Sequence, residues 1–133
     1  MILIDTHVLI WLDEGTGNLG EKSRVLIDQA LQEGKLTISA ISFWEIAMLV
    51  QKKRVQIKMD LQAWRLNLLE QGLIEIPIHG AIALHAGQLL DFHGDPADRI
   101  IVATAMENPA TLITADEKIL NWAKPLSTFD ARE

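Results

Sequence analysis

The feature that most limits what this chain can fold into is an alternation. Short apolar runs of strand length, at Ile2–Ile4, Leu36–Ser39, Leu73–Pro77, Thr111–Thr114 and Leu126–Thr128, are separated by amphipathic stretches of helix length. The helical patterns cover Thr6–Asp13, Glu21–Glu33, Phe43–Lys53, Leu61–Gln71, Gly80–Asp91, Pro96–Glu107 and Glu117–Ala123. Gly34 and Gly72 stand where two of these helices would end in a left-handed residue. Strands joined through helices run parallel, and their sheet is covered on both faces. The expected fold is therefore α/β, a three-layer α/β/α sandwich around a mainly parallel sheet of roughly five strands. In such a sheet, ligands bind at the carboxyl edge of the strands.

At 133 residues, 49% of them hydrophobic, the chain is expected to form a single domain, residues 1–133, with its own core. The absence of cysteine excludes a disulfide framework and thiolate metal sites, and fits a cytoplasmic location. The opening stretch "MILIDTHVLIWLDEG" lacks a basic leader and is interrupted by Asp5 and His7. It reads as core, neither signal peptide nor membrane span. The net charge of -6, from 12 basic and 18 acidic residues, argues against a polyanionic partner unless the acids are gathered in one place.

Four acids stand at helix starts, where each has an ordinary explanation. Asp5 follows the first strand and can cap the next helix. Ser42-Phe43-Trp44-Glu45 fits a capping box. In "HGDPADRIIVATA", Asp95 is a good N-cap, Pro96 a good first helical residue and Asp98 a favourable first-turn acid. Arg99 is then a surface partner. Asp116 follows the strand Thr111–Thr114 and can cap the helix after it, with Thr114-x-x-Glu117 as a competing capping box.

Topology changes the weight of these readings. Asp5, Glu45 and Asp116 all lie where strands end or the following helices begin, which is one edge of a parallel sheet. Asp98 follows a helix, so topology alone does not bring it there. If the four do meet, unit charges about 4 Å apart repel by roughly 4 kcal/mol at a surface-like dielectric. Carboxylate oxygens without histidine or thiolate suit a hard cation that would relieve this, Mg²⁺ or Mn²⁺. Lys52, Lys53, Arg54 and Lys58 form a basic run that is either a solvated face or a phosphate contact. His7, His79, His85 and His93 have no zinc spacing, and the four tryptophans sit on helical patterns where packing is the default.

Four stretches taken together resemble the PIN-domain ribonucleases, in particular the VapC-type toxins of toxin–antitoxin pairs: "LIDTHVLIW", "SFWEIA", "DPADRIIVATA" and "LITADEKI". The likeness spans nearly the whole chain. It implies a three-layer α/β/α fold and cleavage of RNA with Mg²⁺ or Mn²⁺. It places the family's acidic set on Asp5, Glu45, Asp98 and Asp116, with Thr6, Asp95 and Thr114 as secondary contributors. Arg99, Lys52 and Lys53 are then candidate substrate contacts. The likeness also implies a homodimer silenced by a cognate antitoxin, with no membrane association. A catalytically silent RNA- or protein-binding module, whose acids are caps only, is the alternative reading. A phosphorelay receiver has the Lys-Pro at Lys124 and Pro125 in its favour, but the first strand ends in a lone Asp5 and "LIEIPIHG" offers Glu75 instead of a phosphorylatable aspartate.

Overall fold

The first strand made is the middle strand of the sheet. A computed structural model describes residues 1–15, 17–122 and 125–133. In it β1 (Ile2–Ile4) lies between β2 (Leu36–Ser39) and β4 (Thr111–Thr114), with β3 (Ile74–Ile76) and β5 (Thr128–Asp130) at the edges. All four pairings are parallel, in the order β3-β2-β1-β4-β5. Register is set by the centre: Leu3 pairs with Thr37 on one side and Leu112 on the other. The order separates this sheet from the receiver fold, whose first strand lies between the second and third. The receiver reading is therefore overturned.

Helices cover both faces, as the alternation requires. Along β1 and β4 successive side chains point to opposite sides. Ile4 and Ile113 enter one buried cluster with residues of α1 (Thr6–Glu14), α2 (Glu21–Gln32), α3 (Ala40–Gln51) and α4 (Leu61–Glu70). Leu3 and Leu112 enter the other, with α5 (Gly80–Gln88), α6 (Pro96–Glu107) and α7 (Glu117–Leu120). The result is the expected three-layer α/β sandwich. Among the described residues no helix is long and apolar enough to cross a membrane.

Most boundaries fall within a residue or two of the sequence reading, and the exceptions have causes. Helix α3 starts at Ala40 with Ser39 as its cap, not at Phe43. The expected Ser42–Glu45 capping box is absent, because Ser42 is buried inside the helix and lies 2.8 Å from the Thr6 hydroxyl. Helix α5 stops at Gln88 rather than Asp91, since Leu89 turns to an extended conformation. The last strand is Thr128–Asp130, not Leu126–Thr128: Leu126 packs against the second cluster, and pairing begins at Leu112 with Thr128. Helix α7 ends at Leu120; Ala123, expected as its last residue, and Lys124 lie outside the described residues. Gly34 and Gly72 do take positive φ just after α2 and α4, at 69° and 112°.

Two features hold the frame around the carboxyl edge. Arg99, read above as a surface partner or substrate contact, donates to the carbonyls of Ala86, Leu89, Phe92 and His93 at 2.9–3.2 Å. Four of its five donors are thereby committed to the backbone of the last turn of α5 and of the segment that leads to α6. The C-terminal segment folds back on α2. Gly20, the N-cap of α2, carries no side chain to cap with, and the Glu133 carbonyl accepts the Lys22 and Ser23 N–H groups instead. A Cβ at Gly20 would lie 2.1 Å from the Glu133 carbonyl carbon, so only glycine fits.

Candidate active site

The carboxyl ends of β1 and β4 and the starts of α3 and α6 enclose one cleft of about 540 Å³. Its lining includes Asp5, Glu45, Asp95, Asp98 and Asp116, together with His7, Trp11 and Arg132. All four acids singled out in the sequence therefore meet, including Asp98, which topology alone did not place. Packing of α3 against α6 brings it in.

Asp5 is the most enclosed of them, at 6% exposure. As the N-cap of α1 its Oδ1 accepts the Thr6 N–H at 2.7 Å, and its Oδ2 accepts the Thr114 hydroxyl at 2.6 Å. Thr114 Oγ1 in turn accepts the Asp116 N–H at 3.1 Å, linking two of the acids. The Thr6 hydroxyl donates to Glu45 Oε1. The two threonines are thus buried struts that orient acids. Asp116 caps α7 through Lys118 N–H, and Asp95 caps α6 through Asp98 N–H. Capping leaves these carboxylates unspent, because each offers about four lone-pair positions.

Charge has not been neutralised here. Burial raises the Asp5 and Glu45 carboxyls above the usual range. Asp98 is pushed up to about 8, first by burial and then by repulsion from Asp5, Asp95, Asp116 and Glu45. Every major influence on Asp98 favours the proton, and the same imbalance favours a cation. His93 adds a further group that the sequence reading passed over. Its Nε2 is buried with no hydrogen-bond partner among the described residues and lies 3.4 Å from Asp98 Oδ2. Ligand atoms of His93, Asp98 and Asp116 all fall within 4.8 Å of one another. The donor set, mostly carboxylate oxygen with one orphaned nitrogen, fits Mg²⁺ or Mn²⁺.

The other expected contacts lie elsewhere. Arg99 does not line the cleft and serves the backbone, so its assignment to substrate is withdrawn. Lys52 and Lys53 are exposed at the far end of α3, with Lys53 and Arg54 at a separate depression. The spacing His93-x-Asp95-x-x-Asp98 was the available signal for His93, and nothing in the sequence singled out Arg132.

Comparison with known proteins agrees with this geometry. The PIN domain family model matches residues 2–125. Ribonuclease VapC22 of Mycobacterium tuberculosis (strain ATCC 25618 / H37Rv) is 32% identical over 125 residues, covering 93% of each chain. Among solved structures, a toxin-antitoxin complex from Klebsiella pneumoniae superimposes with a TM-score of 0.65 at 24% identity, covering 98% of both chains. VapBC2 from Rickettsia felis, bound to a DNA fragment from their promoter, gives 0.67 at 18% identity, over 97% of this chain and 98% of that one. At those identities the structures speak for the fold. With the family model spanning nearly the whole sequence and the acids gathered where β1 and β4 end, the chain belongs to the PIN-domain family.

Proposed function

We propose that the chain is a metal-dependent endoribonuclease, the toxin of a toxin–antitoxin pair, working in the cytoplasm. The observation that carries this reading is the meeting of Asp5, Glu45, Asp98 and Asp116 in one cleft. The similarity to a ribonuclease of the VapC type supports RNA as substrate. The fold shared with toxin–antitoxin complexes supports an antitoxin partner, and the family likeness a homodimer. An antitoxin arm would be recognised by carboxylates through a bidentate arginine.

Asp5 and Asp98 would hold Mg²⁺ or Mn²⁺, with Glu45 and Asp116 binding directly or through water. When bound, the ion supplies an acidified water and offsets charge on the scissile phosphate and the departing 3′-oxygen. The chain's own part is positioning. Thr6 and Thr114 hold the Glu45 and Asp5 carboxylates so that no rotamer search precedes ion binding. Asp95 fixes the first turn of α6 and with it Asp98. No side-chain nucleophile is needed, and the family likeness implies products with 5′-phosphate and 3′-hydroxyl ends.

The test is cleavage of structured RNA by the purified, antitoxin-free protein with Mg²⁺ or Mn²⁺, beside Asp5→Asn and Asp98→Asn. Cutting by the wild type alone is the expected result. Folded wild type that cuts nothing would instead leave a silent binding module, its acids serving as caps. Equal cutting by all three would assign the activity to another source.

A further inference from the structure

Building on the nuclease reading, we infer that Arg132 is a substrate-anchoring residue, holding a phosphate of the RNA strand beside the acids. The problem it answers is electrostatic. A polyanion must enter a cleft whose lining carries five carboxylates, on a chain of net charge -6. An ion held by the acids would serve the phosphate being cut. The neighbouring phosphates need their own partner, and among the described residues lining the cleft Arg132 is the one permanent cation.

The residue is built into place rather than trailing. On one side of it Ala131 is fully buried, donates its N–H to the Thr114 carbonyl and accepts from Gly20 N–H. On the other, the Glu133 carbonyl caps α2 through Lys22 and Ser23. Ser23 Oγ donates to the Asp130 carbonyl at 3.2 Å. This backbone carries the guanidinium to the cleft, and two acids then fix its plane. Nε and Nη2 bond the two Asp130 carboxylate oxygens at 2.9 and 2.7 Å, and Nη2 also bonds Glu117 Oε1 at 2.7 Å.

Three of five N–H donors are used in this way. The two on Nη1 form no hydrogen bond among the described residues, on a side chain 48% exposed. Nor is Arg132 spent on calming the acids: the strongest charge effects on Asp98 come from other carboxylates. A guanidinium already ordered, on a residue that lines the cleft and with a donor pair to spare, suits a phosphate oxygen and loses little rotamer freedom on binding it.

Binding of a fluorescein-labelled single-stranded oligoribonucleotide, with Ca²⁺ in place of Mg²⁺ and across a series of KCl concentrations, tests the assignment. Arg132→Ala is expected to weaken binding about tenfold at low salt. It should also make the slope of log affinity against log salt shallower by about 0.7, one phosphate contact on a single strand. Arg132→Lys should keep the slope. In cleavage with Mg²⁺, Arg132→Ala should raise KM about tenfold and leave kcat within about twofold. If the alanine variant does not fold, Arg132→Gln, which keeps a donor for Asp130 but not the charge, takes its place. Wild-type affinity and slope in a folded, uncharged variant would overturn the anchor while leaving a cleaving wild type as a nuclease. An Arg132-dependent affinity in a protein that never cleaves would do the reverse. No binding by the wild type would overturn the anchor outright.

Discussion

The Thr114 hydroxyl donates to Asp5 Oδ2 at 2.6 Å, joining side chains 109 positions apart in the sequence. Both residues are buried, and the bond ties the end of β4 to the end of β1 while fixing the most enclosed acid of the cleft. Thr114→Val keeps the shape and removes the donor. It is expected to destabilise the fold by about 1–3 kcal/mol, the cost of an unmet buried acceptor, and to lower kcat. Urea unfolding and single-turnover cleavage measure the two effects.

Asp98 makes the metal-free protein sensitive to pH. Its folded carboxyl is raised from 3.8 to about 8, so the folded state keeps a proton that the unfolded state has released. The stability this contributes is full below about pH 4 and is lost as pH rises to about 8. The melting temperature in EDTA should therefore fall across that range. Asp98→Asn should flatten the dependence and melt higher than wild type at the alkaline end. A wild type whose melting temperature climbs towards pH 8 would contradict the assignment.

Adding Mn²⁺ should reverse the alkaline loss. An ion that binds only the folded state stabilises it by about 2.7 kcal/mol at a hundred times its dissociation constant. Calorimetry should show a rise in melting temperature for wild type and little for Asp5→Asn or Asp98→Asn. His93→Gln should weaken the Mn²⁺ effect while leaving the apo melting temperature close to wild type.

Arg99 donates to four backbone carbonyls at once. Arg99→Ala is expected to cost about 3 kcal/mol or more, and Arg99→Lys to recover little, because an ammonium cannot reproduce the planar fork. Hydrogen exchange should show the residues between α5 and α6 opening first.

Much of this molecule can be read from its apolar periodicity. The first four strands fall in or very near their expected places because short runs rich in Ile and Leu, bounded by polar or turn residues, fit a sheet covered on both faces. The fifth does not, because Leu126 is apolar for a different reason: it packs against α6 and its neighbours before the strand begins. Ser39 and Ser42 both make plausible caps for α3; in the fold Ser39 accepts the Ile41 N–H, while Ser42 meets Thr6 of α1 in the same layer. In the cleft, Asp5, Glu45 and Asp116 follow from topology, whereas Asp98 depends on how two helices pack. His93 and Arg132 were harder still. One takes its place from a loop that Arg99 gathers, the other from a tail docked on α2.

The central position of β1 also sets an order of events during synthesis. Asp5 leaves the ribosome more than a hundred residues ahead of the hydroxyl that orients it and of β4, one of the two strands that flank β1. Long-range parallel pairing of this kind is slow to form. A nascent or prematurely ended chain thus holds its acids apart, and whatever the finished cleft cuts is out of reach while the protein is still being translated.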